Sequence, residues 1–299
     1  MTGPSGAIIT LNPTETLFPN EPQIIADAVN QAVASVEKGR KDLGKSMRDA
    51  HPKAFGCVRG IFTTDPNRPS FSKIGVFAPD TSYRSWVRFS AANPVPQSDT
   101  KPDLMGMAIK LTGVPGNKLI DNKNTAQTQD FLNVHFPVFN VANLQEFTGF
   151  LKNPLLYLGT HPRAAILATR AFGKKRTDPA ETQYWSMAAY APGSQAVKYT
   201  VIPCSAPQTP NPSQKTDNYL TENLIAHLNS RGACYHFMVQ VQKDPQSTPV
   251  EDPSIEWQQQ DSPFVSMATT TPQDKNPLAT KYFSDYGFGD VGLSSSPFM

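Results

Sequence analysis

The chain changes its hydrophobic rhythm along its length, and the changes predict its elements. Pro22 opens a helical stretch, a favoured early position for proline, and Ile25, Val29, Ala32, Val33 and Val36 keep to one helical face up to about Gly44. This reads as a packing helix. From Ala54 to Phe62 the pattern shortens to that of a strand, with Gly56 and Gly60 marking bulges or close backbone approaches. Gly75–Phe77, Trp86–Phe89, Met105–Thr112, Gln129–Leu132 and Pro137–Phe139 read as further short strands. After Ala142 the period becomes helical again, at Leu144, Phe147, Phe150 and Leu151, then at Ile166, Leu167, Ala171 and Phe172. Ala196–Pro203 is a strand, 205–218 a polar loop, and Tyr219–Asn229 a helix ending near Gly232. Cys234–Gln242 and Pro263–Thr269 complete the strands. Strands in quick succession with turns between them predict an antiparallel sheet closing on itself. Residues 1–20 read as an extended polar arm, and no linker divides 21–299, which are expected to form one domain with an irregular tail from Asp274.

Composition narrows the function classes. Lys plus Arg number 27 against 25 Asp plus Glu, a formal charge of +2, so no basic nucleic-acid footprint is expected. No apolar run has the length of an integral membrane segment, and MTGPSGAIITLNP lacks the charged and apolar regions of a secretory signal. Cys57, Cys204 and Cys234 are odd in number and widely spaced, without Cys-x-x-Cys. They read as free or buried thiols in a reducing, cytoplasmic setting rather than as a disulfide frame. The 28 prolines predict short elements with long connections.

Candidate chemistry gathers between Arg48 and Ser90. His51 follows Arg48 by three residues, a Gly-punctuated strand follows, and the stretch closes on Trp86-Val87-Arg88-Phe89-Ser90. This order and spacing resembles the distal haem segment of the catalase superfamily. Asp103–Lys110, Thr128–Leu132 with Pro137–Phe139, Gln183–Ser186, Ala196–Tyr199 and Glu251–Trp257 with Ser262–Val265 follow in the family's order, most similar to its small single-domain branch of catalase-like peroxidases and allene oxide synthase-type relatives.

The resemblance implies an α+β fold, a catalase-like antiparallel β-barrel of about eight strands with helices packed around it, and haem b held between barrel and helices. It implies that His51 stands over the haem as acid and base, that Ser90 orients its ring, and that Arg48 and Arg88 meet the propionates. Val87 and Phe139 would line the cofactor. The substrate would be hydrogen peroxide or an organic or fatty-acid hydroperoxide, and relatives imply a homo-oligomer. Two departures stand out. His135 occupies the position of a distal asparagine, which leaves a distal-pocket histidine and an ordinary half-buried one both open. The family's Arg-x-x-x-Tyr axial-ligand motif is absent after residue 260, where Tyr282 and Tyr286 are the late tyrosines. Leu293–Phe298 resembles an element that precedes the ligand in relatives, so either the sequence is truncated or the ligand has been lost. The expected function is a haem-dependent peroxidase or weak catalase; the alternative is a haem-poor, catalytically inactive barrel that binds an apolar ligand or a partner.

Overall fold

The computed structural model describes residues 19–44, 47–116 and 126–274. Eight strands close into an antiparallel barrel: β1 (Ala54–Thr64), β2 (Ser82–Ala91), β3 (Met105–Thr112), β4 (Thr128–Val134), β5 (Tyr184–Trp185), β6 (Val197–Pro203), β7 (Tyr235–Val241) and β8 (Val265–Pro272). Each strand pairs with the next, and β8 returns to β1. Helix α1 (Glu21–Leu43) precedes the barrel, α2 (Leu144–Lys152), α3 (Pro154–Thr160) and α4 (Pro162–Gly173) lie between β4 and β5, and α5 (Tyr219–Ser230) lies between β6 and β7. Asn143 caps α2 by accepting from the Glu146 N–H, and Asn153 caps α3 the same way from Leu156.

Alternation decides what each strand buries. On β2, Tyr83, Val87, Phe89 and Ala91 point into the barrel, as do Met105, Met107, Ile109 and Leu111 on β3. The interior is filled by rings: Phe62, Phe77, Phe131, Tyr199 and Phe237 interlock, with Phe131 and Phe237 centroids 4.7 Å apart. Each such side chain, fully buried, contributes about 1.5–3 kcal/mol of transfer free energy. β1 bulges between Ala54 and Gly56. A Cβ on Gly60 would stand 3.0 Å from Ser85 Oγ and 3.1 Å from the Thr271 carbonyl oxygen, so that glycine marks a close approach.

Several expectations change. Gly75–Phe77 is a 3-10 turn, not a strand: Gly75 takes φ 54°, and the turn sends Phe77 into the core. Pro137–Phe139 is no strand either; Pro137 has no N–H to give a ladder, and β4 ends at Val134 against Trp185. The apolar face of α1 is only partly covered among the described residues: Ile25, Val29 and Val33 are about half exposed at 46%, 55% and 52%, while Ala32 and Val36 are half-buried. Among those residues α1 meets chiefly α2, so its stripe runs past the barrel rather than onto it. Cys204 and Cys234 form a disulfide, against the expectation of free thiols; Cys57 is the buried free cysteine. Their positions at the facing ends of β6 and β7 bring the two Cα atoms to 5.4 Å, which spacing along the chain did not reveal. No helix among the described residues is long and apolar enough to cross a membrane. Of the expected arm, residues 1–18 lie outside the described residues, as do Tyr282, Tyr286 and Leu293–Phe298.

Candidate active site on the outer face of the barrel

The residues of β2 that turn away from the core, Arg84, Trp86, Arg88 and Ser90, set the outer face, and the register extends it across neighbouring strands. Cys57, Arg88, Ala108 and Leu132 form one row across β1–β4, and Ser90, Gly106 and Val134 form the next across β2–β4. Beyond them Arg59, Trp86, Lys110 and Asp130 form a charged row, with Lys110 and Asp130 paired at 2.7 Å. The middle of this face carries Gly106 and Ala108. With no side chain at Gly106 and a methyl at Ala108 the rows are thinnest there, a platform that is half-buried at Ala108 and buried at Gly106, where the His51 ring covers it.

His51 lies over the Gly106 end. It sits outside β1, at φ 59°, a left-handed conformation that costs a non-glycine residue roughly 1–2 kcal/mol. Three bonds hold it there. Its N–H donates to the Ala92 carbonyl at 3.2 Å, its carbonyl accepts from Arg88 Nη2 at 2.7 Å, and its Nδ1 meets Ser90 Oγ at 3.0 Å. The ring lies close against the β3 backbone: a Cβ on Gly106 would come within 2.4 Å of His51 Cε1 and 2.6 Å of Nδ1. Strain kept in place by surrounding bonds is a mark of functional positions. Burial lowers the His51 pKa to about 4, aided by the nearby charges of Arg88 and Arg48. The imidazole is therefore neutral at physiological pH, with one nitrogen free to accept a proton.

Arg88 is buried at 6% exposure, and its Nε–H has no hydrogen-bond partner. Burial first, and then the charge of Arg48, lower its pKa to about 10. A buried guanidinium with an unanswered N–H favours an anion beside it. Cys57, next to Arg88 in the register, is pushed by burial to about 12 and stays a thiol.

The other sequence candidates fall elsewhere. Val87 faces the closed core and packs there, on the opposite side of β2 from Arg88 and Ser90. Phe139 packs edge-on against Phe147 at 6.1 Å in a small satellite cluster with Val141 and Tyr157. His135 is fully buried one residue past Val134; its Nδ1 accepts from the Met105 N–H at 2.9 Å, which leaves the proton on Nε2, where it has no partner. Burial, with Lys174 and Arg176 nearby, lowers its pKa to about 3. The unfolded chain would protonate it near 6.5, so its contribution to stability is complete above that pH and is lost as pH falls toward 3. The urea midpoint is expected to drop between pH 7 and pH 4.5 by less in His135→Asn than in the parent; equal drops would show that His135 is not the group responsible.

Gly106 and Cys57 were not singled out in the sequence. For Gly106 a signal existed, a glycine inside an alternating strand, where it commonly admits a close neighbour. Cys57 carried none.

No family model and no curated protein matches the sequence. Solved structures do. A fungal catalase matches with a TM-score of 0.60 at 15% identity, over 93% of this chain and 59% of the catalase. A bacterial catalase matches with the same TM-score and identity, over 93% of this chain and 56% of its own length. The chain thus spans less than two thirds of either. A closed eight-strand barrel with helices outside it, superposing on catalases over nearly the whole chain, is a catalase-like fold.

Proposed function

We propose that this chain is a haem-dependent oxidoreductase acting on hydrogen peroxide or an organic hydroperoxide, with His51 as its acid and base. The observation that carries the reading is the His51 ring, held by Ser90 Oγ at 3.0 Å and lodged against Gly106. The platform fits a flat macrocycle: its middle is glycine and alanine, a side-chain cation with an unpartnered N–H borders it, and a second arginine is near enough to shift the pKa of His51, Arg88 and Cys57. Arg88 and Arg48 would hold the propionates, since a guanidinium matches a carboxylate in two bonds. Haem supplies redox-active iron, on which hydroperoxide chemistry depends.

The chain's own part is proton handling. With Nδ1 turned to Ser90, Nε2 is the nitrogen left to accept the hydroperoxide proton and return it to the departing oxygen. Ser90 fixes the ring plane, and the Arg88 bond to the His51 carbonyl fixes its backbone. Because His51 must be neutral to act as a base, the acid limb of kcat/KM is expected near pH 4 rather than near 6.5. A pH profile with its midpoint at 6.5 would remove His51 from that role.

Haemin added to the full chain tests the reading. A haem-to-protein ratio near one, with hydroperoxide turnover, is the expected result. A ratio near zero would overturn it and favour the non-enzymatic barrel.

A further inference from the structure

Away from the platform, the disulfide opens onto a second cleft. The chain leaves β6 at Pro203 and re-enters β7 at Tyr235, its partner on the adjacent strand, and Cys204 and Cys234 stand just beyond that pair. The Cys204 N–H donates to the Cys234 carbonyl at 2.9 Å. Cys204 is exposed and Cys234 half-buried, so solvent reaches the disulfide. Both line a cleft of about 290 Å³ together with Glu181, His227 and Arg231.

Behind the cleft stands a group of possible ligands. One ligand atom from each of Asp178, Glu181 and His227 lies within 4.8 Å of the others. The carboxylates are largely committed. Asp178 accepts from the Ala180 N–H and Thr209 Oγ1, and Glu181 from the N–H groups of Gln208 and Thr209 and from Arg231 at 3.2 Å. His227 is committed at one nitrogen: its Nδ1 donates to Asp178 Oδ2 at 2.8 Å and lies 3.5 Å from Arg231 Nη2, which leaves Nε2 as the nitrogen for a ligand. A carboxylate behind the ring is the arrangement that orients metal-binding imidazoles and raises their basicity.

We propose that reduction of the Cys204–Cys234 disulfide creates a zinc site in this cleft, with both cysteine thiolates and His227 as protein ligands. Two sulfurs that can bond to one another are close enough to share one ion, and a thiolate-thiolate-imidazole set selects zinc over hard cations. Water completes a tetrahedral site of this kind. The chemistry balances. A dithiol reductant gives two electrons and two protons, the S–S bond becomes two thiols, and the reductant leaves as its own disulfide. Zinc then displaces both thiol protons and binds the thiolates. The oxidised protein offers neither thiolate, so metal affinity reports redox state.

The test uses the full chain, oxidised or reduced with a phosphine, titrated with Zn²⁺ against a chromophoric chelator and with Co²⁺ by absorption. The reduced chain is expected to bind one Zn²⁺ about 100-fold more tightly than the oxidised chain, with a thiolate-to-Co²⁺ charge-transfer band. Cys204→Ser and Cys234→Ser should lose the band. His227→Gln should weaken zinc binding about tenfold or more, the scale of losing a ligand or its support, with circular dichroism confirming that each variant folds. Equal affinity in the two redox states, or reduced protein whose Co²⁺ spectrum lacks the thiolate band, would overturn the proposal. Unchanged affinity in a folded His227→Gln variant would remove the histidine and with it the site as described. None of these readouts depends on haem.

Discussion

Replacing His51 by alanine is expected to lower hydroperoxide kcat by about 10²–10⁴-fold, the range general acid–base catalysis supplies, while haem content stays that of the parent. The separation follows from where the residue sits. In the proposed site His51 meets the reacting oxygens, whereas the platform beneath belongs to β2–β4 and the cations to Arg88 and Arg48. Alanine removes the imidazole but keeps the backbone, whose carbonyl still accepts from Arg88. Stopped-flow turnover with a haem-to-protein ratio measured in the same sample checks it. A turnover within a factor of about three of the parent, less than positioned acid–base catalysis contributes, would show that the proton moves by another route.

Gly106→Ala carries the second largest effect, and it acts on geometry alone. The new methyl would stand 2.4 Å from His51 Cε1 and 2.6 Å from Nδ1, far inside van der Waals contact, so the ring must move. Its bond to Ser90 Oγ breaks or lengthens as it goes. A displacement of about 1 Å at a catalytic group costs on the order of 10²-fold in rate, and kcat is expected to fall by that much. Gly106 lies in a regular stretch of β3, paired with Ser90 and Val134, and its φ is not in the positive range that would demand glycine for the backbone. The barrel should therefore survive, and a melting temperature within a few degrees of the parent would show that it has. A variant with parental turnover would mean that the ring does not need its place against β3.

Most of the barrel was legible in the sequence because its strands are local patterns. Met105–Thr112 reads as an alternation of apolar and polar positions from Met107, and the structure buries its odd positions in the core and turns Gly106, Ala108 and Lys110 outward. The helix α1 was equally legible as a helix, yet its apolar stripe misled about packing, since periodicity states which residues share a face and not what covers it. The two short false strands failed for a related reason. Gly75–Phe77 is apolar because Phe77 enters the core from a turn, and a run of three residues cannot separate that from a strand.

The site divides along the same line. His51, Ser90, Arg48 and Arg88 were readable because they lie in one stretch at fixed spacings, and the structure brings Ser90 and the two arginines to His51. Val87 sits in that same stretch and goes the other way, because successive residues of a strand point to opposite faces. Sequence alone determined the helix and strand pattern, the balance of charge and the His51 motif, all carried by residues near one another along the chain. Tertiary structure alone decided that Gly106 would receive the His51 ring, that Cys204 would meet Cys234, and that Asp178 would reach His227. Those contacts depend on barrel register and closure across tens of residues, and local pattern does not encode register.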